Sequence, residues 1–277
     1  MADQYKSISI QQKTPNSRVF YLYLNRPSQF NALPPEFFTE FPAALSSLDK
    51  NPDVGVIILC GAGDHFCAGA DIKVLNSVVE NSSSTEKSRA NEWLRREIKI
   101  SQEAFTAVEK CRKPVIASIH GYCIGGAFDL VTACDIRFCT KDAVFTSKQI
   151  DVGFAAEIGI LQRLPAIVGY GNAMEVALTG RKVSGQEAKD MGLVSRVFES
   201  KQALDEGVRL VAEGIAAKSP IAVVGTKAVL LRSKDLTIEQ GLDYVATWNA
   251  ATVYSSGDLM EALNAMAQKR KPHFSKL

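Results

Sequence analysis

The spacing of apolar and polar positions predicts that the chain opens as strand, helix, strand. Ser17 to Leu24 (SRVFYLYL) alternates and stops at Asn25-Arg26-Pro27, as a strand ended by a turn does. From Pro35 to Leu48, Phe37, Phe41, Leu45 and Leu48 recur at helical spacing, with Pro42 as an expected irregularity. Val54 to Cys60 (VGVIILC) is a short run rich in β-branched residues that ends in Gly61-Ala62-Gly63, the pattern of a buried strand leading into a loop.

Val74 to Ser88 is polar, and its centre, NSSSTEKS, has almost nothing to bury, which predicts a mobile loop or frayed helix end and a candidate lid. Trp93, Leu94, Ile98, Phe105 and Val108 then mark a helix over 91–111, and Pro114 opens the strand VIASI. His120 to Asp129 (HGYCIGGAFD) reads as strand, glycine turn and helix, the helix running to about Ala133, followed by short strands at Asp135 to Phe138 and Val144-Phe145. Repeated strand, glycine loop and helix units argue an α/β fold with a ββα rhythm. Past Gly159, LQRLPAIVG, GNAMEVALTG and SGQEAKDMG each carry an apolar stripe ending in glycine, as helices do. Leu193 to Phe198 is a return strand, and from Gln202 three helical pieces are expected, broken near Ser219-Pro220 and Ser255-Ser256-Gly257, with exposed-looking Tyr244 and Trp248.

Composition narrows the classes. With 277 residues, 46% hydrophobic and a net charge of +2, the chain can bury a large core without disulfides or metal, and it carries no basic stripe for nucleic acid. The six cysteines lie in apolar or motif-like segments with no CxxC pair, so they are expected as reduced thiols, mostly core. The first residues, MADQYKSISIQQK, show no apolar leader, and no apolar run approaches the roughly 20 residues that span a bilayer, so a secreted or membrane-spanning protein is not expected. Ser275-Lys276-Leu277 reads as a peroxisomal address, with a chance tripeptide as the alternative.

Two glycine turns carry the candidate chemistry: His65-Phe66-Cys67-Ala68-Gly69-Ala70-Asp71-Ile72-Lys73 and Ile124-Gly125-Gly126-Ala127-Phe128-Asp129. Small residues there let a ligand approach the backbone, and outward N–H groups at a helix start suit an oxygen that becomes negative. Taken singly, each is equally a tight turn packed on a sheet. Asp129 lies one helical turn after Gly126, and Glu157 sits in the apolar stretch GFAAEIG, which would raise its pKa as a proton carrier requires. The bland alternatives are a cap or ion-pair partner for Asp129 and a helix N-terminal acid for Glu157; Asp151 reads as structural. There is no GxSxG elbow, and only His65, His120 and His273 are available, so a Ser-His or Cys-His hydrolase has little to work with, and metal chemistry less.

Together, HFCAGADIK, HGYCIGGAFDL, CDIRF and LQRLPAIVG resemble the enoyl-CoA hydratase/isomerase, or crotonase, superfamily across essentially the whole chain. Within it, ACDIRFCTKDAVF, the spacing to DVGFAAE and the closing SKL are most similar to the Δ3,5-Δ2,4-dienoyl-CoA isomerases. The resemblance implies a crotonase-like spiral of ββα units over 1–200 and a C-terminal α-helical trimerisation region over 201–277, assembled as homotrimers or homohexamers. It implies an oxyanion hole from the N–H groups of Ala70 and Gly126, and an acyl-CoA thioester lying along Arg26, Ala32, Leu33, Ala68, Asp71, Ile72 and Lys73. Coenzyme A is then part of the substrate, with no separate cofactor. Asp129 and Glu157 match two of the family's three acidic positions. The third departs: Gln149 stands, at the substrate site, where a catalytic glutamate is usual, and an amide does not exchange a proton at neutral pH. The resemblance also implies a role in fatty-acid β-oxidation and import into the peroxisome through SKL. Gln149 leaves two alternatives: a diverged crotonase (hydratase, lyase or thioester hydrolase on an unusual acyl group), or a catalytically reduced acyl-CoA binding subunit.

Overall fold

The computed structural model describes residues 5–82 and 86–277. Strands β1 (Ile8–Gln11) and β2 (Val19–Leu24) pair antiparallel, and helix α1 (Phe37–Lys50), which contains Pro42, leads to β3 (Val56–Gly61), parallel to β2. Helices α2 (Ile72–Ser82) and α3 (Lys87–Lys110) lead to β4 (Val115–Ile119), parallel to β3. The chain continues through β5 (Tyr122–Ile124), α4 (Gly126–Thr132), β6 (Ile136–Thr140), β7 (Val144–Thr146), α5 (Gln149–Val152), α6 (Ile160–Val168) and α7 (Tyr170–Thr179). Then come β8 (Val183–Ser184), α8 (Gly185–Asp190) and β9 (Arg196–Phe198). One sheet has six strands in the order β1-β2-β3-β4-β6-β9, and the other has three, β5-β7-β8. The pairs β4-β5 and β6-β7 each place one strand in either sheet, with α4 between the pairs, which is the expected ββα rhythm.

Period-two alternation in the strands feeds two cores. Ile57 and Leu59 face one with Phe20, Leu22 and Ala117, while Val56, Ile58 and Cys60 face the other, so every residue of β3 is buried. Helix α9 (Lys201–Ala216) closes the second face with Leu204, Val208 and Ala212. Helices α10 (Pro220–Ser233), α11 (Ile238–Ala251) and α12 (Gly257–Ala267) follow, and α11 has no buried residue. Buried Lys227 on α10 ties this region down: its Nζ is 2.7 Å from Asp135 and donates to the carbonyls of Val108 and Lys113 at 3.1 and 3.2 Å.

Three expectations are corrected. The stretch 74–88, expected as a mobile loop or frayed helix end, is helical on both sides of residues 83–85, which lie outside the described residues: Val74, Leu75 and Val78 form the half-buried stripe of α2, packed on α3, while Asn76 and Glu80 face outward. The C-terminal region has an additional break at 234–237, where Thr237 and Gln240 close a capping box and start a new helix. Tyr244 and Trp248 are half-buried and lie 6.2 Å apart, with Trp248 seated over Gly225, where an added Cβ would come within 2.4 Å of its Nε1. All six cysteines are buried free thiols, and burial pushes Cys60, for one, up to about 12. Among the described residues, no single helix is long and apolar enough to cross a membrane, and no group of three His, Cys, Asp or Glu is placed to hold a metal.

Candidate active site

Neighbouring parallel strands β3 and β4 lead from their C-terminal ends to the two glycine segments, β3 directly and β4 by way of β5, the usual side for a site in a parallel sheet. Asn31 knots the first segment: its Nδ2 donates to the carbonyls of Ala62 and His65, both at 2.8 Å, and of Phe66 at 3.2 Å, while its Oδ1 accepts from the Arg26 N–H at 2.9 Å. Its φ of 56° lies in the left-handed region, which asparagine tolerates. Sequence reasoning passed over Asn31, although asparagine after the Pro27 turn was a signal for this geometry.

An isolated parallel bridge joins Leu33 to Ala70. The Leu33 N–H donates to the Gly69 carbonyl at 2.8 Å and the Asp71 N–H to the Leu33 carbonyl at 2.9 Å, so the ladder uses the groups on either side of Ala70. The Ala70 N–H has no acceptor among the described residues. Neither has that of Gly126, the first residue of α4, whose N–H lies beyond the reach of the helix's own carbonyls. The two groups converge: a Cβ on Gly126 would stand 4.0 Å from the Ala70 nitrogen, and one on Gly69 3.6 Å from the Gly126 nitrogen. Gly69 must be glycine twice over, since its φ is 93° and a Cβ would meet the Ile124 carbonyl oxygen at 2.6 Å.

The two acids differ. Asp129 is fully buried; its Oδ1 accepts from the Ile160 N–H at 2.8 Å and its Oδ2 from Gln149 Nε2 at 2.6 Å. Burial pushes its pKa up to about 7 against these two donors, so above that pH it is a carboxylate with both oxygens engaged. Glu157 lies at the surface, its carboxylate free of hydrogen bonds and ion pairs among the described residues, and partial desolvation raises its pKa. Its backbone is held, the carbonyl accepting from Gln102 Nε2 at 2.8 Å. Next to it, the Ile158 Cδ1 would lie 3.5 Å from a Cβ on Gly126, which brings the 157–159 segment beside the two free N–H groups. Glu157 and Ile158 also line a groove of about 1660 Å³ running between α3, α6 and α10. Asp151 pairs with Lys148 at the surface, a structural arrangement.

Gln149, expected at the substrate site, is buried; it donates to Asp129, and its Oε1 accepts from Ser147 Oγ at 3.1 Å. Of the residues expected along coenzyme A, Arg26 and Asp71 hold each other: Arg26 Nη1 donates to Asp71 Oδ2 at 2.8 Å and to the Ala32 carbonyl at 2.7 Å. Asp71 Oδ1 accepts the Lys73 N–H at 3.0 Å, and that bond, with Arg26, holds the carboxyl below the usual range. Ala32 and Ala68 are half-buried and Leu33 is buried, while Ile72 and Lys73 project into solvent from the first turn of α2.

Two converging, unpaired N–H groups, with the segment carrying an accessible carboxylate beside them, can hold an oxygen that becomes negative as a proton leaves a neighbouring carbon. The sequence matches the enoyl-CoA hydratase/isomerase family over residues 14–276, and the chain belongs to that family. It is 60% identical to an Arabidopsis thaliana protein named peroxisomal Delta(3,5)-Delta(2,4)-dienoyl-CoA isomerase, covering 99% of both chains. It is 41% identical to the Mus musculus protein of that name described as mitochondrial, covering 97% of this chain and 83% of the other. Among solved structures, an enoyl-CoA hydratase from Bacillus anthracis superposes with a TM-score of 0.87 at 32% identity, covering 98% of this chain and 99% of that one.

Proposed function

We propose that the protein isomerises 3,5-dienoyl-CoA to 2,4-dienoyl-CoA in fatty-acid β-oxidation. The observation that carries this reading is the convergence of the Ala70 and Gly126 N–H groups, with Ile158, the neighbour of Glu157, packed against Gly126. The thioester oxygen lies between those donors. Glu157 takes a proton from C2, the electron pair spreads over the thioester and diene as a dienolate, and the protonated Glu157 returns the proton at C6, which leaves double bonds at C2 and C4 and Glu157 again a carboxylate. Atoms and charge balance without water or redox. Hole donors of this kind are worth about 3 to 4 kcal/mol each in transition-state stabilisation. Asp129, with both oxygens engaged, is the second acid of the site and acts from beneath, through Ile160 and Gln149.

Coenzyme A belongs to the substrate, and no separate cofactor is proposed. Ile72 and Lys73 supply an apolar surface and a cation for it, while Arg26 and Asp71 shape the loop whose Ala32, Leu33 and Ala68 line the same path. The 60% identity to a protein named as an isomerase supports isomerisation over the hydratase, lyase and thioesterase alternatives. Incubation with a 3,5-dienoyl-CoA in D₂O, followed by mass spectrometry and diene absorbance, tests it: a 2,4-dienoyl product without a water adduct is expected. A water adduct, a free acid or unchanged substrate would each overturn the assignment.

Apolar side chains exposed on the C-terminal helices, among them Ile238, Leu242 and Met266, support a homotrimer or paired trimers. Peroxisomal residence is supported by Ser275-Lys276-Leu277 and by the description of the Arabidopsis relative. An import receptor reading that tail must first free it, because the Leu277 carbonyl accepts from Lys113 Nζ at 3.1 Å and Lys276 pairs with Asp53.

A further inference from the structure

We propose that Gln149 is a positioning residue: it clamps Asp129, which holds the start of α6 and so fixes where Glu157 meets the substrate. The inference rests on Glu157 being the proton carrier. Four groups form one connected line. Ser147 Oγ donates to Gln149 Oε1 at 3.1 Å, Gln149 Nε2 donates to Asp129 Oδ2 at 2.6 Å, and the Ile160 N–H donates to Asp129 Oδ1 at 2.8 Å. All three side chains are buried, so none of these bonds is exchanged for water. With Asp129 ionised, turning the amide over would set its oxygen against the carboxylate, so the NH₂ faces Asp129. Ile160 lies three residues after Glu157, and the intervening backbone is constrained by the Gln102 bond to the Glu157 carbonyl and by Ile158 against Gly126. A shift of Ile160 on loss of the clamp is passed to Glu157 through this short, tethered segment.

The same geometry explains why an amide serves where a glutamate is usual. A glutamate at 149 would face Asp129 across the same short gap, and two carboxyls so close must share one proton. The clamp would then hold only while that proton stayed. The other ionisable or charged groups acting on Asp129 are the Arg163 guanidinium on α6, itself paired with Glu109 at 2.7 Å, and the buried Cys123 thiol on β5. Neither replaces the donor that Gln149 supplies, because neither is hydrogen-bonded to Asp129.

The test compares full-length wild type with Gln149→Met, which keeps the volume and removes the donor, and with Gln149→Glu. Gln149→Met should lower kcat about tenfold to a hundredfold, with KM within about twofold of wild type. Hydrogen exchange at the Ile160 amide should accelerate in the same variant. Gln149→Glu should keep the acid limb set by Glu157 and add a second limb that falls as pH rises and the shared proton of the 149–129 pair is lost, a limb the wild-type amide at 149 does not give. Wild-type kcat and Ile160 exchange in Gln149→Met would overturn the inference. So would Gln149→Glu exceeding wild type at every pH, since position 149 would then be a place for a proton carrier. A wild type that turns over no 3,5-dienoyl-CoA would defeat the isomerase reading instead, and Ile160 exchange would still decide the clamp.

Discussion

Glu157 and Asp129 are both acids whose pKa burial raises, yet only one has oxygens free to meet a substrate. Glu157→Gln should cut turnover by about a hundredfold to ten-thousandfold, the range of a lost general base, while calorimetry shows acyl-CoA binding nearly unchanged. Turnover close to wild type would remove Glu157 from the chemistry. Since the carboxylate is the active form and desolvation lifts its pKa, kcat/KM should fall with decreasing pH along a limb above the ordinary glutamate value. Asp129 enters stability instead. Its pKa, raised from 3.8 to about 7, means the folded state holds the proton more tightly than the unfolded chain does. That contribution is fully present below about pH 4 and is lost as pH rises through about 7. Asp129→Asn should therefore flatten the fall in urea midpoint between about pH 4 and pH 7, and an unchanged slope would assign the titration to another group. Both acids were legible in the sequence as candidates; which of them is accessible was not, because the partners of Asp129 lie 20 and 31 residues away in the chain.

At the scale of elements, the oxyanion hole is a product of packing between two loops. Gly69→Ala would drive a methyl into the Ile124 carbonyl at a φ of 93°, so kcat should drop sharply and the melting temperature fall, at a strain cost of about 1 to 3 kcal/mol. Unchanged kinetics would show that the two loops can separate without harm. Lys227 tests the other face: Lys227→Met leaves Asp135 without its cation in a mostly buried setting, and denaturant titration should register a loss of about 3 kcal/mol. The long apolar elements β2, β3, α1 and β4 were readable because each has a core-facing pattern over several residues. Strand β1 escaped notice because four residues are too few to establish alternation. Helix α2 was read as a loop or frayed helix end because its outer face is polar, and the start of α11 was missed because its signal is a capping box rather than a change in periodicity.

For the whole molecule, apolar residues on α11 and α12 are exposed without a partner within the chain, and the proposed trimer or hexamer would cover them. Sedimentation should report a mass of three or six chains, and Leu242→Asp with Met266→Asp should reduce it to one; a wild type sedimenting as a monomer would refute the assembly. The sequence by itself determined the α/β class, the ββα rhythm, the family and the two glycine loops, because these reside in local periodicity and in short motifs. Only the tertiary structure decided that Asn31 knots the first loop, that Gln149 meets Asp129, and that Glu157 is left free. Those contacts join residues far apart in the chain, brought together by parallel strand pairing and the winding of the spiral, and no local pattern records which distant side chain will complete a hydrogen bond.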